Sequence, residues 1–156
     1  MTEIQICEDD LTEEKVKDLL ALHLSGMQSN SPAESVFALD ISGLKHPDVT
    51  VWTVRVGKEV AAIGALKQLD GTNGELKSMR THPDFVRMGF AKRLLDHIVL
   101  IAKRRGYRRL SLETGSGAEF EAALQLYRNN GFVAGPAFGE YAKSEFNQFF
   151  HLALDM

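Results

Sequence analysis

The chain has 156 residues, 18 lysines and arginines against 21 aspartates and glutamates, and a hydrophobic share of 44%. That length suits a single domain, residues 1–156, and the apolar content is enough for a core, which excludes wholesale disorder. One cysteine excludes an internal disulfide framework and a cysteine-rich zinc site, and the net charge of −3 argues against a dedicated nucleic-acid binder.

No apolar run approaches the roughly 18 residues of a membrane-spanning helix, and the acidic opening MTEIQICEDDLTEE lacks an export core. The expected setting is therefore reducing and cytoplasmic, with no membrane partner. Glu3 to Glu8 alternates polar and apolar residues, the pattern of a half-buried strand, and Cys7 within it reads as a small core residue. Thr12 is placed to cap a helix whose first turn holds Glu13 and Glu14 and whose apolar stripe is Val16, Leu19, Leu20 and His23, ending near Ser25. Ser31-Pro32-Ala33-Glu34 has the form of a capping box opening a second helix through Leu39.

Two β-rich runs come next, Val49 to Val56 and Glu59 to Lys67, separated by the short turn Gly57-Lys58. Turn formers from Asp70 to Gly74 precede a further strand, Glu75 to Thr81. The rhythm then changes. Ala91, Leu94, Leu95, Ile98, Ile101 and Ala102 recur at helical period and Gly106 closes that helix. Arg109 to Thr114 reads as a strand, Ser116 as the cap of a helix carrying Phe120, Ala123, Leu124 and Tyr127, and Gly131 as its stop. A short strand near Phe132 and a last one from Gln148 to Leu154 complete an order β-α-α-β-β-β-α-β-α-β-β, a mixed sheet with a strand-helix-strand crossover at its centre.

The stretch from Thr81 to Leu95 carries the chemistry. It is a strand end, a loop with small residues at Gly89 and Ala91, and the first turn of a helix, where free N–H groups and the helix dipole favour an anion such as a diphosphate. Between Lys77 and Arg109 stand ten basic side chains against two acidic ones, Asp84 and Asp96, a local positive field in an acidic chain. The lysine and arginines at 103–105 and Arg108 and Arg109 read as the solvated side of the helix, whereas Arg87 lies inside the loop.

The loop Val86-Arg87-Met88-Gly89-Phe90-Ala91, with Pro83 three residues before it, and the later Leu126-Tyr127-Arg128-Asn129-Asn130-Gly131-Phe132 resemble the GNAT superfamily of acetyl-CoA-dependent N-acetyltransferases. That family's loop reads Gln/Arg-x-x-Gly-x-Gly/Ala, and its later helix ends in a tyrosine followed by a stretch closing with Gly-Phe. The likeness extends along the whole chain. It implies an α+β fold with a central mixed, mostly antiparallel sheet of about seven strands flanked by about four helices, with acetyl-CoA as cosubstrate. The acceptor would be a small-molecule amine or a protein amino group, and a homodimer is the expected assembly. Val86 departs from the Gln/Arg of the family's first loop position, and Arg87 stands where its charge can replace the missing one.

The resemblance also implies roles. An amine attacks the acetyl thioester directly while both substrates are bound. An amine of pKa ~10.4 is mostly protonated near pH 7, a handicap of roughly 4–5 kcal/mol that a nearby base removes. Glu75 and Glu113 are the candidate bases, and Tyr127 the acid that protonates the departing thiolate. Met79, Arg80 and Thr81 should meet the pantetheine arm, with a bulge near Met79 supplying an oxyanion donor. Arg87, Met88, Gly89, Phe90, Ala91 and Lys92 should hold the diphosphate. The long segment Gly135 to Asn147, with Phe138, Glu140 and Tyr141, together with the first two helices, should wall the acceptor. His23, His46, His82, His97 and His151 lack metal-ligand spacing, so no metal is expected, and Trp52 reads as core. A non-catalytic acyl-CoA-binding module of the same fold is the competing expectation, and a nucleic-acid binder ranks behind it.

Overall fold

The computed structural model describes residues 3–30 and 41–154, so the capping box at Ser31 and the helix expected through Leu39 lie outside the described residues. The elements run β1 (Ile4–Glu8), α1 (Glu14–Asn30), α2 (Ile41–Leu44), β2 (Val49–Val56), β3 (Glu59–Gln68) and β4 (Asn73–Thr81). After these come α3 (Phe90–Arg104), β5 (Arg109–Thr114), α4 (Glu121–Asn129), β6 (Val133–Ala134) and β7 (Gln148–Ala153). The strands form one seven-stranded sheet in the order β1-β2-β3-β4-β5-β7-β6. Every neighbouring pair is antiparallel except β4 and β5, which the helix α3 connects as a parallel crossover. The mixed, mostly antiparallel sheet flanked by helices is the architecture expected from the sequence.

Four local expectations are corrected. The Thr12 hydroxyl donates to Asp10 Oδ1 at 2.7 Å, and the first α1 bond runs instead from the Lys17 N–H to the Glu13 carbonyl, 3.1 Å. The helix then continues past Ser25 to Asn30. Ser116 does not cap α4 either, because its hydroxyl donates to the Phe146 carbonyl at 2.6 Å, and a 3-10 turn at Ala118–Phe120 leads into the helix. Cys7 is half-buried on the edge strand β1 and takes no part in the core. Trp52 is buried as expected.

The sheet is covered on both faces. Val16, Leu19 and Leu20 of α1 pack on Val51, Ile63 and Ala65, while Leu94, Leu95 and Ile98 of α3 pack on Ala62, Leu66 and Leu110 from the other side. Each such side chain, fully buried, contributes about 1.5–3 kcal/mol. β3 is therefore buried from Val60 to Leu66 and reads as a continuous apolar run instead of an alternating one.

One irregularity interrupts the ladder between β3 and β4. Ile63 pairs with Arg80 and Ala65 with Lys77, so Ser78 and Met79 together oppose Gly64. Ser78 takes φ 58° at this bulge. An added Cβ at Gly64 would sit 2.5 Å from Met79 Sδ and 3.1 Å from Leu94 Cδ2, so only glycine admits the bulged methionine under α3. Gly64→Ala should lower stability by about 1–3 kcal/mol through overpacking. The Gly64→Ala/Met79→Ala pair should show favourable coupling in a denaturant-melt double-mutant cycle; an unmoved midpoint in the single variant contradicts this account.

Candidate active site

β4 and β5 pair only at Asn73 with Arg109, Gly74 with Leu110 and Glu75 with Ser111. Beyond Glu75 they part, and a cleft of about 720 Å³ opens between them, bounded by α1, the segment after β4 and the start of α3 and by α4. The alternation along β4 sorts its side chains. Leu76 pairs with Leu66 and faces α3, while Glu75 and Lys77 face the α1 side. Without a bulge Met79 would share the Lys77 face. With it, Met79 packs toward α3 and Arg80, opposite Ile63, turns to α1.

The segment after β4 builds one end of the cleft. His82 Nδ1 accepts from the Asp84 N–H at 3.1 Å and holds the turn Pro83–Phe85. Val86 is extended, Arg87 has φ 63° and Gly89 φ 82°. No atom lies within 4 Å of a Cβ placed on Gly89, so glycine is favoured there by its left-handed backbone and not by packing. The Gly89 carbonyl accepts the first α3 bond from the Arg93 N–H, 3.1 Å, which leaves the N–H groups of Phe90, Ala91 and Lys92 without an intrahelical acceptor at the cleft. The Phe90 ring is buried against Phe85, so the backbone of this residue, and not its side chain, is available to a ligand. Val86, Arg87, Met88 and Lys92 are exposed, and Lys92 pairs with Asp96 at 2.9 Å.

Tyr127 stands on the last turn of α4 and lines the cleft, its ring 5.7 Å from that of Phe132. Burial pushes its pKa up to about 12, so it is a neutral donor at physiological pH, and its hydroxyl bonds to no protein group among the described residues.

The α1 face of the cleft holds a polar cluster. The Tyr141 hydroxyl donates to Glu75 Oε2 at 2.5 Å; Lys77 Nζ donates to the same oxygen at 3.1 Å and to the Tyr141 hydroxyl at 2.7 Å. Burial, with the charge of Glu75 beside it, moves the Tyr141 pKa well upward. Glu113 projects from β5 onto this face, two residues beyond Ser111, the partner of Glu75. Burial raises its pKa to about 7; Lys77 opposes the rise and Glu75 adds to it. Arg80 Nε donates to His23 Nδ1 at 3.0 Å and Nη2 to the His23 carbonyl at 3.4 Å. Burial, then the charges of Arg80 and Lys77, lower the His23 pKa to about 4. His23 is therefore neutral, with Nδ1 as acceptor and the proton on Nε2.

The site thus gathers Glu75, Glu113 and Tyr127 around one cleft with Met79, Arg80, Thr81, Arg87, Gly89, Phe90, Ala91 and Lys92. Phe138 does not reach it: its ring is buried 5.2 Å from Tyr141 and 5.8 Å from Phe149. Glu140 is exposed away from the cleft lining, and Tyr141 arrives through its hydroxyl on Glu75. Sequence reasoning missed His23 and Lys77. A histidine inside an otherwise aliphatic stripe was the available signal for the first. No group of three or more His, Cys, Asp or Glu side chains is placed to hold a metal among the described residues, and among them no helix is long and apolar enough to cross a membrane.

A sequence profile of the acetyltransferase (GNAT) family matches residues 14–132. The chain is 48% identical over 146 residues to the uncharacterized N-acetyltransferase YedL of Escherichia coli (strain K12), covering 94% of this chain and 92% of that protein. It is 47% identical over 135 residues to the uncharacterized N-acetyltransferase YsnE of Bacillus subtilis (strain 168), covering 86% and 89%. A crystal structure of a GNAT family acetyltransferase from Elizabethkingia anophelis, with acetyl-CoA bound, superposes with a TM-score of 0.71 at 18% identity, covering 97% of this chain and 98% of that one. At that identity the likeness is one of fold.

The His23 geometry generates a stability prediction. Its folded pKa of about 4 lies below the ordinary 6.5, so between these values the unfolded chain binds the proton more readily. Stability from this group is complete above 6.5 and is lost as pH falls toward 4, by about 2 kcal/mol at pH 5. Thermal melts should show a steeper acid loss for the wild type than for His23→Gln; parallel slopes would remove the assignment.

Proposed function

The chain belongs to the acetyltransferase (GNAT) family, and we propose that it transfers the acetyl group of acetyl-CoA to a primary amine of a small molecule or protein, both substrates being bound together. The observation that carries this reading is the parting of β4 and β5 after Glu75, with unpaired α3 N–H groups at one end of the opening and Glu113 and Tyr127 beside it. The names of the two bacterial relatives, both N-acetyltransferases, support it, as does the acetyl-CoA bound to the Elizabethkingia protein.

The residues fit the carrier. A diphosphate would sit against the N–H groups of Phe90, Ala91 and Lys92, where the helix dipole favours negative charge and no side chain rises from Gly89. Arg87, left-handed and exposed in the loop, supplies the charge that Val86 cannot. Among the described residues the β4 edge from Lys77 to Thr81 has no strand partner on the β5 side, and it offers its backbone to an amide-bearing arm. Ser78 and Met79, excluded from the β3 ladder by the bulge, hold backbone groups for a developing oxyanion.

Acetyl-CoA supplies the activated acyl group; the chain supplies proton management. Glu113, with a pKa of about 7, is divided between its two forms at neutral pH, the condition under which a carboxylate accepts a proton from an ammonium most usefully. Tyr127, neutral and with no partner for its hydroxyl among the described residues, is the donor to a departing thiolate. Glu75 is committed to Tyr141 and Lys77, which makes it an organiser of the acceptor side more than a base.

Two measurements test the reading. Gly89→Asp places a side chain and a like charge at the diphosphate cradle and should weaken coenzyme A binding by more than about tenfold in calorimetry; unchanged affinity would remove the loop from the site. In thiol-release assays over an amine panel, the wild-type rate should rise as pH climbs through about 7 because Glu113 must be ionised to act. Glu113→Gln should lose that inflection and about a hundredfold in rate. Coenzyme binding with no thiol release from any amine would favour the non-catalytic module.

A further inference from the structure

The two cations on the α1 face of the cleft differ in one respect. Lys77 is neutralised by Glu75. Arg80 has no carboxylate partner among the described residues, and its bonds go to the Nδ1 and the carbonyl oxygen of His23, a neutral side chain and a neutral backbone group. Its guanidinium is nevertheless given a built seat. α1 has a glycine where the head group lies, and a Cβ on Gly26 would approach Arg80 Nη2 to 2.8 Å. Burial lowers the Arg80 pKa, yet a guanidinium starting at 12.5 stays charged at physiological pH. A half-buried charge held by neutral partners bears a desolvation cost that an arriving anion offsets.

The seat is also in a particular place. α3, whose N-terminus forms the proposed diphosphate site, packs on the opposite face of the sheet from α1. Arg80 therefore points to the acceptor side, onto the face that carries Glu113. Among the described residues the Nη1 edge makes no hydrogen bond, and it completes the planar fork that suits a carboxylate. We propose that the acceptor is an amino-carboxylic acid whose carboxylate is bound by Arg80, seated on His23 and the Gly26 notch, leaving its amine to the Glu113 side. This rests on the acyl-transfer reading and narrows its acceptor class.

The test compares free L-amino acids with their C-terminal amides in thiol-release assays at saturating acetyl-CoA. The wild type should prefer the acid by about tenfold or more in kcat/KM, carried mainly in KM. Arg80→Gln should collapse that ratio toward one, and Arg80→Lys should restore part of it. Equal use of acid and amide by the wild type, or a preference that survives in Arg80→Gln, overturns the inference while leaving acyl transfer intact. Binding of coenzyme A with no thiol release from any member of the panel overturns both. Should Arg80→Gln not fold, the wild-type ratio and Arg80→Lys decide.

Discussion

The site depends on a sheet that is deliberately left open. β4 and β5 share three residue pairs and then separate, although each buried backbone group left unpaired costs about 1–3 kcal/mol. Two features accompany the gap. α3 begins at the opening, and the bulge at Ser78 and Met79 falls in β4 beyond its last pair with β5. The buried Ser78 Oγ has no hydrogen-bond partner among the described residues, a further cost at the same bulge. An open strand edge is a template for another extended, amide-bearing chain. In the proposed reaction the substrate completes the sheet.

The same bulge divides labour between the two faces. By shifting the alternation by one residue it delivers Met79 to the apolar packing under α3 and Arg80 to the polar face under α1. Negative charge is favoured at one end of the cleft by α3 backbone N–H groups, and the ionisable side chains to which the proposed reaction gives its proton transfer stand on the other face.

Legibility in the sequence followed the range of the interactions. β2 and β5 were readable to the residue because β-branched runs bounded by turn formers depend on local steric preference. The apolar stripe of α3 was readable because one face must be buried. The α4 start was misread because Ser116 has the chemistry of a cap while its hydroxyl is taken by Phe146, thirty positions away. The bulge has no signature of its own, since Ser78 is neither glycine nor asparagine at its positive φ, and only the family resemblance anticipated it. His23 was absorbed into an apolar stripe because burial, which spacing does reveal, is independent of the long-range bond to Arg80, which it does not. The segment at 135–147 was expected as a wall of three side chains, but Phe138 is used for packing and Glu140 for solvent, so that only Tyr141 meets the catalytic face.

The two carboxylates illustrate how one face can assign different tasks to the same chemistry. Glu75 and Glu113 lie on adjacent strands and both face α1, yet their surroundings diverge. Glu75 receives a tyrosine hydroxyl and an ammonium on one oxygen, and both bonds favour its ionised form and hold it in place. Glu113 has burial as its main influence, with Lys77 and Glu75 acting on it in opposite directions. In the proposed reaction the base is therefore Glu113, the group poised near neutrality. Glu75 would then act through Glu113: its charge helps raise the Glu113 pKa, and its bond to Tyr141 ties the long segment before β7 to the face where the acceptor is proposed to bind.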